Sequence, residues 1–571
     1  MKNQFVADTL YRIADLLDLK GEMFFKTRAY RMAAEAIQAL DGDIEQLVHE
    51  GTLESIPGVG EALAKKITEL VQTGKLGYLE QLKKEVPIGL IDLLGVPGLG
   101  PKKVAAVYKH RGITSIQELQ QAATNGELRT LEGFGEITER NILRGIQLLQ
   151  KTSGRVLLHV AYMDGDNYLA YLKKCKKIKK INIAGSLRRM KETIGDLDIL
   201  ASSEDPGAVM DHFISYPEVA QVLAKGTTKS SVVLNDHLQV DLRVVEEKSY
   251  GAALQYFTGS KDHNVTLRGI AIKQGYKLNE YGLFDKTTER YIAGRNEQEI
   301  YKKIGMQYIE PELRENRGEF TAAKTKTLPN LVDSNEIAGD FHVHSSWSDG
   351  SDSIETIASA AQQRGYAFIG ITDHSQSLKI ANGLDEDKIQ KKINQIKQIR
   401  KKFPNLHIFC GTECDIRTDG TLDYSDKILR QFDFVYIGIH TAFKMDRETM
   451  TKRIIKGMEN EQVDFLAHPT GRLIGKRDPY DVDIEQIIDA AKETKTLLEI
   501  NAFPDRLDLN DIHIKLAKEQ GVRFVLGTDS HSINHLDFMR FGVATARRGW
   551  LEKKDILNTA SEKEIEKIVG M

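Results

Sequence analysis

Seven apolar runs in the C-terminal part of this chain each close on polar residues, and nine of those residues are ones that metal ions favour. In order the runs are FHVHSSWSD (His342, His344, Asp349), FIGITDH (His374), IFCGTE (Glu413), VYIGIH (His440), FLAHP (His468), LLEINAF (Asn501, not one of the nine) and FVLGTDSH (Asp529, His531). Short apolar runs separated by helical stretches read as parallel strands with crossover helices, and such strands carry chemistry at their carboxyl ends. The nine should therefore meet on one rim of a barrel-like α/β domain.

Neutral imidazole and carboxylate suit Zn²⁺, Mn²⁺ or Fe²⁺, and a surplus of ligands implies a cluster of two or three ions. His342 and His344 stand two apart, so on a strand both rings project to one face. A metal-bound imidazole needs a partner to fix its tautomer, so one of the nine can act as an orienting group. A single histidine near a strand end is ordinarily packing; nine on successive strand ends point to a metal-dependent hydrolase. The set HVH, TDH, GTE, GIH, AHP and GTDSH, over residues 335 to 571, resembles the polymerase and histidinol phosphatase (PHP) domain. The resemblance implies a distorted seven-stranded barrel, a trinuclear metal site and phosphoester hydrolysis. It leaves the substrate open.

A chain of 571 residues is too long for one core, so three to five modules are expected. Its 41% hydrophobic and 28% charged residues are those of a soluble globular protein. The amphipathic start MKNQFVADTLYRIADLLDL lacks the layout of a signal peptide, and no window suits a membrane span. Three cysteines, Cys175, Cys410 and Cys414, form no disulfide framework and no C-x-x-C pair, so a reducing cytoplasm is expected. The net charge of -3 does not favour nucleic acid globally. The run KKCKKIKK at 173 to 180 reads either as a solvated helix face or as a phosphate-facing surface.

Three N-terminal segments share one plan, an apolar residue, Gly-x-Gly and a helix: LESIPGVGEALAKKI, LLGVPGLGPKKVAAVY and LRTLEGFGEITERNIL. In a helix-hairpin-helix motif the glycines (Gly58 and Gly60, Gly98 and Gly100, Gly133 and Gly135) turn the backbone so that bare N-H groups face a DNA phosphate. Such contacts ignore base identity. The bland alternative is a helical repeat packing on itself. With FFKTRAYRMAAEAI ahead of it, the first hairpin resembles the lyase domain of the DNA polymerase X family. That resemblance makes Lys66 a Schiff-base candidate supported by Tyr30 and Lys26, although Ala62 replaces an expected lysine and Phe25 a histidine.

Residues 181 to 200, INIAGSLRRMKETIGDLDIL, read as a strand, a Gly-Ser turn into a helix, and a strand with Asp196 and Asp198 on one face. Asp241, in LQVDLRVV, sits on another alternating strand that could lie beside it. Three carboxylates can hold two Mg²⁺ or Mn²⁺ ions for phosphoryl transfer, with Ser186, Arg189 and the Gly195 backbone holding a triphosphate. The set resembles the nucleotidyltransferase palm of the same family. By that resemblance Arg155 is a further triphosphate ligand. The resemblance also implies, for YFTGSKDHNVTLR, that Tyr256 and Phe257 would lie under the sugar, Asn264 would reach the base and Arg268 would contact the template. Lys261 departs from an acidic residue familiar there, and LNEYGLF resembles the thumb.

The fold expected is a multidomain α+β and α/β chain: helical helix-hairpin-helix modules, a palm with thumb, and a distorted (βα)7 barrel. The divisions are 1-80 (lyase-like), 81-150 (fingers-like), 151-246 (palm), 247-317 (thumb), 318-334 (linker) and 335-571 (PHP). The two resemblances together imply a bacterial or archaeal form of DNA polymerase X. Such an enzyme is a cytoplasmic monomer acting on gapped or nicked double-stranded DNA with dNTPs, filling short gaps in repair and trimming 3' ends. Its barrel is associated with 3'-5' exonuclease, 3'-phosphatase and abasic-site cleavage. Two other readings stay open: a barrel hydrolysing a small phosphate ester, and an N-terminal half that only recruits repair factors.

Overall fold

The computed structural model describes residues 2 to 565, apart from 23, 39, 41–43, 57, 88, 97, 98, 153 and 562. It divides into two units, residues 1–153 with 475–477, and the remainder.

The first unit is helical. Leucine, isoleucine and valine at helical spacing bury one continuous apolar cluster from Val6 to Ile146. The stretches read as separate modules, 1-80 and 81-150, therefore share one core. The helices Glu61–Thr73 and Pro101–Arg111 begin directly after Gly60 and Gly100, with no side chain capping their first N-H groups. Helix Glu136–Thr152 follows Gly135, and Gly58 and Gly133 take the left-handed φ values of +81° and +79° that the tight turn requires. Gly98 lies outside the described residues.

The second unit opens on a mixed sheet of Lys180–Ile183, Asp196–Ser202, Gln239–Val245, Lys229–Leu234 and Val219–Lys225, in that spatial order. Strand Asp196–Ser202 runs antiparallel to Lys180–Ile183 and parallel to Gln239–Val245. The basic run 173–180 is not a helix face: helix Leu158–Leu172 ends before it, and the run continues in turns. Lys177 and Lys179 there pair with Asp205 and Glu204, and Lys180 pairs with Glu247.

Past helices Tyr250–Thr258 and Lys261–Lys273 comes a three-stranded antiparallel sheet of Tyr276–Asn279, Gly282–Asp285 and Tyr291–Ala293. The stretch 318 to 334, expected as a linker, is built into its surroundings. Buried Glu319 begins helix Glu319–Thr325 and accepts hydrogen bonds from the backbone N-H groups of Asn316 and Arg317 and from His263. The Val332 N-H then bonds the Leu551 carbonyl. A polar composition here satisfies buried donors instead of keeping the segment in water.

The seven apolar runs form a parallel sheet in sequence order, Gly339–Val343, Phe368–Ile371, His407–Asp415, Phe434–Gly438, Phe465–Leu466, Leu497–Asn501 and Phe524–Gly527. The last strand returns to the first through a parallel bridge between Val343 and Ser530, so the barrel is nearly closed. Phenylalanines 341, 368, 409, 434 and 465 fill its interior with Tyr436.

Candidate active sites

On the barrel rim Glu413 is the hub. Its Oε2 lies 3.5 Å from His342 Nε2, 3.6 Å from His344 Nε2 and 3.0 Å from His374 Nδ1. Its Oε1 lies 3.1 Å from His440 Nε2 and 2.8 Å from His468 Nε2. The two Glu413 oxygens thus face two separate sets of imidazole nitrogens. Burial opposes ionisation of Glu413, but His440, His342 and His374 together hold its carboxyl well below the usual range.

Asp529 Oδ1 stands 3.3 Å from His344 Nε2 and 3.8 Å from His342 Nε2, while Asp349 Oδ2 stands 3.6 Å from His374 Nε2 and 3.4 Å from His531 Nε2. The ligand atoms of His342, His344 and Asp529 fall within 4.8 Å of one another. So do those of His374, Glu413 and His440, and those of His344, Asp349, His374 and His531. All nine sequence-expected ligands thus come to one rim. His531 and Asp349 side chains are 33% and 31% exposed whereas His342 and His344 are buried, so the cluster opens to solvent on the Asp349 side.

The donor set fits divalent cations on structural grounds. His342 and His344 bring their Nε2 atoms within 3.1 Å of each other, and the buried Nδ1 atoms of His344 and His468 lack hydrogen-bond partners among the described residues. Orienting groups are in place as well. Glu499 accepts from His342 Nδ1 at 2.6 Å and from the His468 N-H at 2.7 Å, and Asp415 meets His440 Nδ1 at 2.5 Å. Asn501 donates to Glu499 and Asp529 and so steadies two carboxylates of the cluster. His468 and Asp529 have left-handed backbones, φ +27° and +54°, conformations that only a surrounding structure can maintain.

The second site lies in the mixed sheet. Asp198 pairs in register with Asp241 on the adjacent parallel strand, and Asp196 is two residues away on the same face. Gly185, at φ +62°, brings the Gly-Ser turn so close that a Cβ there would stand 2.3 Å from Asp198 Oδ2. Burial, then repulsion from Asp196 and Asp241, pushes the Asp198 carboxyl up to about 7, against the pull of Arg243 and Lys229. Lys229 Nζ holds Asp241 Oδ2 at 2.7 Å, and Gln239 donates to its Oδ1. These carboxylates converge less tightly than the barrel ligands: among the described residues, the triads within 4.8 Å all belong to the barrel. Three carboxylates on one face, running from exposed Asp196 to buried Asp241 and one already neutralised by an ammonium, are still a donor set that a hard divalent cation satisfies.

A cavity of about 460 Å³ opens in front of them, lined by Arg155, Ser186, Arg189, Tyr256, Phe257, Asn264 and Arg268 among others. Arg155 is held there by Thr193, and Asn264 by its bond to the Tyr256 carbonyl. Arg189 meets Glu315 at 3.1 Å and the Thr258 carbonyl. Gly195 packs against Arg155.

The curated protein described as DNA polymerase/3'-5' exonuclease PolX of Bacillus subtilis (strain 168) is 39% identical over 568 residues, covering 99% of each chain. This chain belongs to the PHP-bearing DNA polymerase X family. Within it, family profiles match a helix-hairpin-helix domain at 1–76, a SAM-like helix-hairpin-helix tandem at 90–147, a DNA polymerase beta thumb at 253–315 and a PHP domain at 340–503. DNA polymerase lambda of Rattus norvegicus is 25% identical over 55% of this chain and 56% of its own. A protein described as a probable phosphatase, from Thermoanaerobacter sp. (strain X514), is 30% identical over 30% of this chain and 70% of its own. No helix among the described residues is long and apolar enough to cross a membrane.

In the lyase-like segment, Lys66 Nζ bonds the Ala62 carbonyl and lies 5.1 Å from the Tyr78 ring centroid. Tyr30 stacks on Tyr78, and Lys26 lies 3.5 Å from Glu22. Lys65, Lys66, Glu61 and Glu69 line an open pocket beside Ala62. Sequence reasoning missed Glu499, Asp415 and Lys229. Glu499 is two residues before Asn501 and Asp415 two after Glu413, so strand alternation was the available signal. Nothing local marks Lys229, which reaches Asp241 only through strand pairing.

Proposed function

We propose that this chain is a template-directed DNA polymerase that fills short gaps in base-excision or break repair and processes the same termini with its barrel. It is a DNA polymerase with a metal-dependent 3'-5' exonuclease. The observation that carries the synthetic half is the in-register pairing of Asp198 with Asp241 beneath the Gly185 turn, facing a cavity edged by Arg155 and Arg189.

Asp196, Asp198 and Asp241 would hold Mg²⁺ or Mn²⁺, which activates a 3'-hydroxyl and neutralises departing pyrophosphate when bound. Ser186, Arg189, Arg155 and the Gly195 backbone bind the triphosphate, Tyr256 and Phe257 support the sugar, Asn264 meets the base and Arg268 the template. Dividing cation binding from phosphate binding in this way leaves the chain's side chains mainly positioning work. In the barrel, His342, His344, Asp349, His374, Glu413, His440, His468, Asp529 and His531 would hold Mn²⁺, Zn²⁺ or Fe²⁺ in a cluster of two to three ions. The helix-hairpin-helix glycines bind DNA phosphates without reading sequence. The divisions at 80, 150, 246 and 334 are proposed as functional boundaries, and the working form as a monomer in the cytoplasm.

The assay is labelled gapped DNA with dNTPs and Mn²⁺. Asp198→Asn should abolish extension while sparing 3' degradation, and His344→Ala should do the reverse; loss of both activities in either variant defeats the two-site account. Lys66 is proposed as an abasic-site lyase nucleophile, beside the Tyr30 and Tyr78 rings. Borohydride should trap the wild-type chain on a 5'-deoxyribose-phosphate end and not Lys66→Ala; equal trapping removes that role.

A further inference from the structure

The contact between the mixed sheet and the barrel runs along the edge of the nucleotide cavity. Arg548 ends barrel helix Met539–Arg548 and is 5% exposed. It donates to the Arg189 carbonyl at 2.7 Å and lies 3.1 Å from Glu315 Oε1 and 2.5 Å from Asp511 Oδ2. Arg189 meets the same Glu315 oxygen at 3.1 Å. One carboxylate oxygen is therefore shared by two guanidiniums, one edging the nucleotide cavity and one brought by the barrel. A second cavity, of about 500 Å³, meets the first at Arg155 and Lys191 and has Arg548 and Asp511 in its wall. Arg472 of the barrel holds Glu192 at 2.7 Å, fixing the loop between the two cavities.

A carboxylate divided between two cations holds each less firmly than it would hold one, and in a largely dehydrated setting that difference is not screened away. Arg548 also repels the Arg189 cation directly. Without Arg548, Glu315 would keep Arg189 as its hydrogen-bonded ion-pair partner, beside the pull of Lys191, and a triphosphate would have to break a tighter ion pair.

We propose that Arg548 is a positioning residue for nucleotide binding: by sharing Glu315 with Arg189 it sets how readily Arg189 turns to the triphosphate, making the barrel part of the polymerase site. This rests on the reading of Arg189 as a triphosphate ligand.

The test is single-nucleotide gap filling by the full chain, with each of the four dNTPs. Arg548→Ala should raise every dNTP KM roughly three- to tenfold with kcat changed by less than about twofold. The 3'-5' exonuclease should be unaltered, and Arg548→Lys should restore most of the loss. Glu315→Gln should lower KM, and in that background Arg548→Ala should change KM by less than about twofold, since the shared partner is gone. Should Arg548→Ala not fold, Arg548→Lys and Glu315→Gln carry the test, and an unchanged KM in Glu315→Gln overturns the proposal. An unchanged KM in Arg548→Ala, an equal rise in both backgrounds, or a parallel fall in exonuclease also overturns it. Arg189→Ala separates the two readings: if it leaves dNTP KM unaltered, the triphosphate role of Arg189 falls. If it raises KM while Arg548→Ala does not, only the role of Arg548 falls.

Discussion

A methyl group at residue 185 would stand 2.3 Å from Asp198 Oδ2, on a backbone at φ +62° that alanine adopts only under strain. Gly185→Ala should therefore displace Asp198 or the turn above it. Extension should fall roughly tenfold or more, with the fold and the exonuclease retained, when both activities are measured on one preparation. Single residues were unevenly legible. Asp196, Asp198 and the nine converging residues of the barrel rim could be picked out because alternation and strand ends mark them locally. Lys229 was not, because its contact with Asp241 depends on which strand lies next door.

Among the elements, helix Lys261–Lys273 is pinned from within by His263, which is buried between Glu319 at 2.8 Å and the Tyr301 hydroxyl at 2.9 Å. Burial, together with the Arg314 charge, outweighs the help of Glu319 and pulls the imidazole down to about 4. The native state thus refuses a proton that the unfolded chain accepts near 6.5. Stability from this residue is complete above that pH and is lost as pH falls toward about 4, at most by ~3 kcal/mol. Denaturant midpoints at pH 7.5 and 4.5 should differ less in His263→Gln than in the wild type; equal differences would remove His263 from the acid response. Glu319, in the stretch expected as a linker, shows why composition misled there: its polarity serves a buried network, which no local pattern reveals.

Across the whole second unit, the sheet and the barrel share apolar packing. Leu507 and Phe541 of the barrel, 1% and 4% exposed, sit in the cluster formed by Leu158, Ile194, Leu197 and their neighbours. Arg547 adds an ion pair with Glu312 at 2.7 Å. Calorimetry should then show sheet and barrel melting in one transition. Phe541→Ala should cost about 3–5 kcal/mol and lower that single transition; two separately shifting transitions would show independent bodies.

The amino-acid sequence by itself determined the parallel barrel, the palm signature and most of the side chains that gather at the two candidate sites, because strand alternation and glycine turns are short-range consequences of backbone geometry. Only the tertiary structure decided how those side chains are charged, oriented and shared. It put Glu499 behind His342, Lys229 on Asp241, and Arg548 on the carboxylate that holds Arg189. Electrostatic partners are chosen by distance in space, and residues 189, 315 and 548 become neighbours only once the sheet and the barrel have closed on each other.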